Sequence, residues 1–440
     1  MEINLAALMF PALFALIFLG IPVSFSLLGV AIGFGFAAFG TKIGLQSFHF
    51  ITRTSSVYVL ASIPLFIFMG STMERSGIAE RLFHAMRLWV GRFPGGLAIA
   101  TIAICAIFAA GTGIVGAVEV MVGLMAIPAM MKYGYDRGLI AGTICAGGSL
   151  GTMIPPSIVV VIYATIAQIS IGKLFAGVLF PGGMMVLFFL LYLILRCWFR
   201  PQDGPPMERE EFEQVKFGEL MWLTFTALIP PIALVVTVVG SILAGVAAVT
   251  EAAAVGAAGA LLLSVIYRRF SLEMLWDSLK KSIVINAMVM LIILGGTMFT
   301  TIFRMHGGGE LVEAIIEYLD LSPHGMAGLF LAIIFMLGIV LDWVSIVLIV
   351  VPIFSPLLDA AGIDPVWFAV MAIIMIQTSY LTPPMAPSIF YLKGIAPPEM
   401  TYKDMYLGVM PFVLLQLLVL VVIALYPPTA TYLPEFFLGN

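Results

Sequence analysis

Four short polar breaks in an otherwise apolar sequence hold the residues most able to do chemistry: Gly111 to Gly116, Gly147 to Ser157, Gly338 to Ser345, and Thr378 to Ser388. Non-helical backbone at membrane depth is tolerated only where it is buried in protein or lines a wet cavity. Such breaks therefore gather free carbonyls, hydroxyls and helix ends in one place. Helix N-termini carry about half a positive charge and attract carboxylates, whereas unwound carbonyls and Ser or Thr oxygens suit a hard cation such as sodium. Thr112, Ser149, Thr152 and Ser157 supply the hydroxyls of the first half, and Ser345, Thr378, Ser379, Thr382 and Ser388 those of the second. A single Gly, Ser or Thr in a membrane bundle more often serves close packing. Four clusters at related positions favour binding. The expected sodium set is Gly111, Thr112, Ser149, Thr152, Gly338, Asp342, Thr378, Ser379 and Thr382; the expected anion set is Gly113, Pro156, Ser157, Ser345, Pro384 and Ser388.

Asp342 is the sharpest of these residues, because a carboxylate near the bilayer midplane costs roughly 2.5–3.5 kcal/mol unless a partner offsets it. A bound cation is one such partner; capping the following helix, with Ser345 assisting, is the other reading. Glu251 follows Thr250 at the head of an Ala-rich segment, so a helix-start role suits it at least as well as a functional one. Glu119 is compatible with a cavity wall or with a subunit contact. The three cysteines and four histidines are solitary, with no metal-ligand spacing, and no hydrolase or P-loop motif is present. No enzyme chemistry and no cofactor is expected, other than sodium as a coupling ion.

The elements that position these breaks are membrane helices. Of 440 residues, 62% are apolar and 10% charged, against about 25% charged in a soluble domain. Stretches of about 20 apolar residues recur from Leu5 to Tyr426. The net charge of -4 is small and the basic residues are scattered, which gives no nucleic-acid footprint. The start, Met1-Glu2-Ile3-Asn4, lacks a basic segment and reads as a first span rather than a cleaved leader. The most polar stretch, 200–219, reads as a cytoplasmic linker between two halves, 1–199 and 220–440.

The halves repeat. Gly134, Asp136, Pro155 and Pro156 return 228 positions later as Gly362, Asp364, Pro383 and Pro384, and Pro156-Ser157-Ile158 and Gly177 return at 231 as Pro387-Ser388-Ile389 and Gly408. Stretches 95–131 and 325–358 are too long for one span and break in the middle. Reading both as re-entrant hairpins gives about ten crossings and places all but Lys42, Arg53, Lys173 and Arg304 of the 20 Lys and Arg on one face. Reading them as spans distributes the 20 far more evenly, so the positive-inside rule favours hairpins. Each half then has about five crossings and the second is inverted, with both termini periplasmic. Stretches 138–168 and 366–392 become the broken helices, and the amphipathic segments Ser76 to Phe93 and Gly307 to Ser322 lie along the interface. The expected fold class is all-α and polytopic, with two inverted repeats.

The segments Ile107 to Ile158 and Leu341 to Pro397, together with TEAAAVGAAGA from Thr250, resemble the large membrane (permease, DctM-like) subunit of the tripartite ATP-independent periplasmic (TRAP) transporters. The resemblance runs nearly the length of the chain. It implies an elevator-type carrier of the bacterial inner membrane, driven by sodium. It also implies a small four-span membrane subunit as partner and a periplasmic binding protein that delivers a small carboxylate, oxo acids and aromatic acids among the candidates. The competing readings are a binding-protein-independent anion/sodium symporter of similar inverted architecture, a channel-like component and, most weakly, a membrane enzyme.

Overall fold

The computed structural model describes residues 5–113, 115–208, 216–384 and 386–439. Among these, eight helices are long and apolar enough to cross a bilayer. The first half runs through α1 (Leu5–Phe18), α2 (Val23–Phe39), α3 (Ile43–Ser55), α4 (Ser62–Arg75) and α5 (Ile78–Val90). It continues with α6 (Gly96–Thr112), α7 (Val115–Lys132), α8 (Arg137–Ser149), α9 (Ile158–Ala167) and α10 (Ile171–Phe199). The second half runs through α11 (Phe217–Leu243), α12 (Val249–Ile266), α13 (Leu272–Met305), α14 (Gly308–Leu319) and α15 (Pro323–Gly338). It ends with α16 (Trp343–Ala360), α17 (Pro365–Leu381), α18 (Pro387–Lys393), α19 (Tyr402–Leu425) and α20 (Pro428–Leu438).

The repeat seen in residue spacing has matching local structure. Gly134 and Gly362 both turn the chain in the left-handed region at φ +72°. Two residues on, Asp136 and Asp364 each cap a helix, their carboxylates accepting the N–H of Leu139 at 2.8 Å and of Trp367 at 2.7 Å. Pro155-Pro156 and Pro383-Pro384 are both joined by cis peptide bonds. The amphipathic segments form α5 and α14, each opened by a left-handed glycine, Gly77 and Gly307.

The helices pack in two groups that also touch each other, α6 lying against α4 and α5, and α16 against α13. In the outer one, α4 lies against α12 and α13, α2 against α13, and α11 against α5 and α12. In the inner one, α6 and α7 form a hairpin packed on α8, and α15 and α16 form a second, packed on α17 and α9. The halves interlock, since α18 rests on α7 and α8, while α19 lies along α8. Helices α10 and α20 also pack into the inner body, so it is larger than two hairpins and two broken helices. Large apolar side chains such as Trp198, Trp222, Phe225 and Leu262 are exposed on the outer faces, where a lipid solvent would meet them.

Two helices escape a reading by hydropathy. Helix α3 has polar residues along one side and only Ile43 buried, and α20 follows Pro427 and buries Ala430 and Pro434 against α10. The polar stretch after α10 is fastened rather than loose. Asp203 and Gly204 carbonyls accept the N–H groups of Asp136 (2.9 Å) and Gly95 (2.8 Å), and Met207 donates to Gly91 at 2.8 Å. Arg196 adds ion pairs to Asp136 at 3.0 Å and Asp203 at 2.9 Å. The middle of that stretch, 209–215, lies outside the described residues.

Candidate functional site

Each hairpin tip touches a broken helix. Helix α6 ends at Thr112, and Gly113, at φ +60°, returns its N–H to Ala109 at 3.0 Å. A Cβ on Gly113 would lie 3.1 Å from the Pro156 carbonyl and 3.4 Å from the Ile158 nitrogen. Glycine is therefore required here by both its conformation and its neighbours. In the second half Gly338 meets Ser379 in the same sense, its absent Cβ falling 2.1 Å from Ser379 Oγ. The structure thus brings together Gly113, Pro156 and Ser157 in one place, and Gly338 and Ser379 in another. The Thr112 side chain and Ile114 lie outside the described residues.

Hydroxyls that are to hold a cation must point lone pairs outward, so their protons have to go elsewhere. Ser157 donates to the Thr152 carbonyl (2.8 Å), Thr378 to Ile374 (2.8 Å), Ser379 to Ile376 (2.7 Å) and Thr382 to Thr378 (2.8 Å). Ser157, Thr378 and Ser379 are buried and Thr382 is half-buried. Each keeps acceptor capacity for a bound ion. Thr152 gives its proton to the Ser149 carbonyl and to Gln377 Oε1, both at 3.0 Å, and likewise keeps its lone pairs.

Ser149 behaves differently. Its hydroxyl donates to Ala146 at 2.8 Å and accepts N–H bonds from Gln377 at 3.0 Å and Gln416 at 3.2 Å. One donor and two lone pairs are then all engaged, which makes its side chain a clamp between helices rather than an ion ligand in this arrangement. Gln377 stands 228 positions after Ser149. Since that is the spacing of the repeat, each residue bonds its own equivalent, and the contact lies on the pseudo-two-fold axis relating the halves. Gln377 and Gln416, both fully buried, complete a network that ties α8 to α17 and α19. Reading the sequence missed both glutamines. The signal was there as an amide inside each of two apolar helices.

Asp342 caps α16: its carboxylate accepts the N–H groups of Val344 (3.0 Å) and Ser345 (3.3 Å) and the Ser345 hydroxyl (2.5 Å). The positive end of α16 is thus taken by the chain's own carboxylate, with the proton and N–H of Ser345 spent on it. Helix α9 has no such cap, because Ser157 makes no side-chain bond to its first turn. The unclaimed N–H groups that would draw an anion therefore lie at the start of α9, beneath Gly113. Pro384 and Ser388 flank the second loop, with Ser388 buried beside Glu119 and neither side chain in a well-formed hydrogen bond. Full burial places Glu119 in the protein interior rather than on an exposed surface. Glu251 accepts the Ala248 N–H at 2.9 Å and so serves the start of α12. Among the described residues no group of three or more His, Cys, Asp or Glu could hold a metal.

Known proteins share this architecture. The crystal structure of the Alcanivorax borkumensis YdaH transporter matches with a TM-score of 0.61 over 90% of this chain and 89% of that one, at 15% identity. The Neisseria gonorrhoeae MtrF structure, described as an antimetabolite efflux pump, gives 0.61 over 87% and 83%, at 14% identity. At those identities the likeness establishes the fold alone. The sialic acid TRAP transporter large permease SiaM of Vibrio cholerae is 30% identical over 388 residues, 87% of each chain. The C4-dicarboxylate permease DctM of Pseudomonas aeruginosa and the ectoine permease TeaC of Halomonas elongata are each 29% identical, covering 87% and 86% of this chain and 88% and 86% of theirs. These relatives are permeases, not enzymes. The model of the tripartite ATP-independent periplasmic transporter, DctM component, matches residues 10–429. With two hairpins resting on two broken helices and a family match of that length, this multi-span membrane chain belongs to the TRAP transporter family as its DctM component.

Proposed function

We propose that the chain is the carrier subunit for sodium-coupled uptake of a small organic anion, a carboxylate, by an elevator movement of the inner body against the outer one. The observation that carries this reading is the meeting of Gly113 with Pro156, Ser157 and Ile158, where the free end of α9 faces the first hairpin tip. The anion binds there. Sodium takes the oriented lone pairs of Thr152, Thr378, Ser379 and Thr382, with Thr112, Asp342 and the carbonyls of Gly111 and Gly338 completing the shells. A cation beside the anion offsets its charge, so each ligand favours binding of the other. Both termini face the periplasm, the first hairpin enters from the cytoplasm and the second from the opposite side. One net positive charge entering across 100 mV supplies about 2.3 kcal/mol, about fifty-fold accumulation.

Substrate arrives on a periplasmic binding protein, and a small four-span subunit braces the outer body. The test is uptake of radiolabelled carboxylates into proteoliposomes holding this chain and the small subunit, with binding protein outside. Accumulation should require an inward sodium gradient and the binding protein. Equal uptake with potassium in place of sodium overturns the coupling, and uptake of free substrate by this chain alone identifies a binding-protein-independent symporter.

A further inference from the structure

A cavity of about 780 Å³ lies on the seam between the two bodies. Its outer wall carries Arg53, at the end of α3, and Arg304, at the end of α13; its inner wall carries Ile162 and Ile166 of α9 and Leu348 of α16. Ile162 follows Ser157 by little more than one helical turn, so the cavity borders the helix whose start receives the anion. Neither arginine side chain forms an ion pair or hydrogen bond among the described residues. An unpaired guanidinium presents a fork of donors matched to a carboxylate. The isoleucines and Leu348 opposite offer apolar surface, between the hydroxyls of Thr165, Thr297, Thr300 and Thr301 and the amide of Gln168 that also line the cavity. Glu310 and Glu313 line the same cavity and are likewise unpaired, so a second carboxylate on the ligand would meet like charge.

We propose that this cavity is a capture site for an organic monocarboxylate with an apolar body. Arg53 and Arg304 hold the carboxylate, and Ile162, Ile166 and Leu348 hold the body, before the ligand passes along α9 to Gly113. This rests on the organic-anion reading above and narrows it. Fixed charge at the cavity favours one carboxylate over two, and Ile162, Ile166 and Leu348 favour a hydrocarbon body.

The test is direct binding to the purified full chain in nanodiscs, read by saturation-transfer NMR with hexanoate, phenylacetate and succinate as probes. Hexanoate and phenylacetate should bind and compete with each other, while succinate binds at least about tenfold more weakly. R53Q and R304Q should each weaken hexanoate about tenfold, with R53K keeping part of the affinity. Unchanged thermal unfolding of the variants establishes that they are folded, and I166N should lose phenylacetate with the arginines intact. Binding of hexanoate by the double arginine variant as by the wild type, succinate binding as tightly as hexanoate, or no binding of either monocarboxylate overturns the proposal. Failure of the function itself reads differently: the complete transporter would accumulate no carboxylate under a sodium gradient.

Discussion

Gly338 lies flush against Ser379, so that a Cβ on the glycine would sit 2.1 Å from the serine Oγ and 2.4 Å from its Cβ. The G338A variant must push the second hairpin away from α17, an overpacking that costs about 1–3 kcal/mol. We expect a lower unfolding temperature and uptake reduced at least tenfold. The S379A change leaves the Cβ clash in place and should not rescue, whereas S379G should restore the fold. A G338A protein with wild-type unfolding and uptake would show that the hairpin does not need this contact.

Ser149 and Gln377 are coupled through a fully buried hydrogen bond of 3.0 Å. Q377L removes one of two acceptors of Thr152 and one of two amide donors to Ser149, at about 0.5–1.5 kcal/mol for each bond lost. S149A leaves the amides of Gln377 and Gln416 without their acceptor. Chemical unfolding of both single variants and of the double should give a positive coupling of about 0.5–3 kcal/mol. Strict additivity would dissolve the network into independent contacts.

Asp342 has two separable parts. D342A removes the cap of α16 and should lower stability by about 0.5–2 kcal/mol. D342N keeps an oxygen for the Val344 and Ser345 N–H groups but loses the charge, so it should unfold nearly as the wild type while the sodium concentration for half-maximal uptake rises several-fold. Uptake titrated against sodium separates the two, and an unchanged sodium dependence in D342N assigns the residue to capping alone.

Arg196 joins Asp136 and Asp203 across the base of the first hairpin. In R196A, hydrogen exchange measured by mass spectrometry should quicken at the amides of Asp136, Gly95 and Met207, and stay unchanged in α12. Because the arginine is half-buried, the global loss of stability should be small. Protection unaltered at all three amides would show that backbone bonding alone holds the segment.

Much of the fold was legible because membrane helices announce themselves by hydropathy, and because Gly134, Asp136 and the paired prolines return at a fixed spacing. The two hairpins followed from where Lys and Arg fall. The candidate site was legible as types of residue rather than as roles. Asp342 supported two readings, and only the position of Ser345 shows the cap. Ser149 looked like the other hydroxyls until two amides reached it from α17 and α19, helices distant in sequence. Helix α3 stayed hidden because its apolar residues share it with Gln46, His49 and Arg53, and a window average dilutes them.

The self-meeting of Ser149 and Gln377 also bears on how such a chain could arise. In a pair of identical halves, a residue on the axis faces its own copy, serine to serine or glutamine to glutamine. Two serines would be too short to bridge the gap that one glutamine spans, and two glutamines would crowd it. The observed match of one long and one short side chain exists only where the two copies have diverged, so neither half assembled with itself can rebuild this centre.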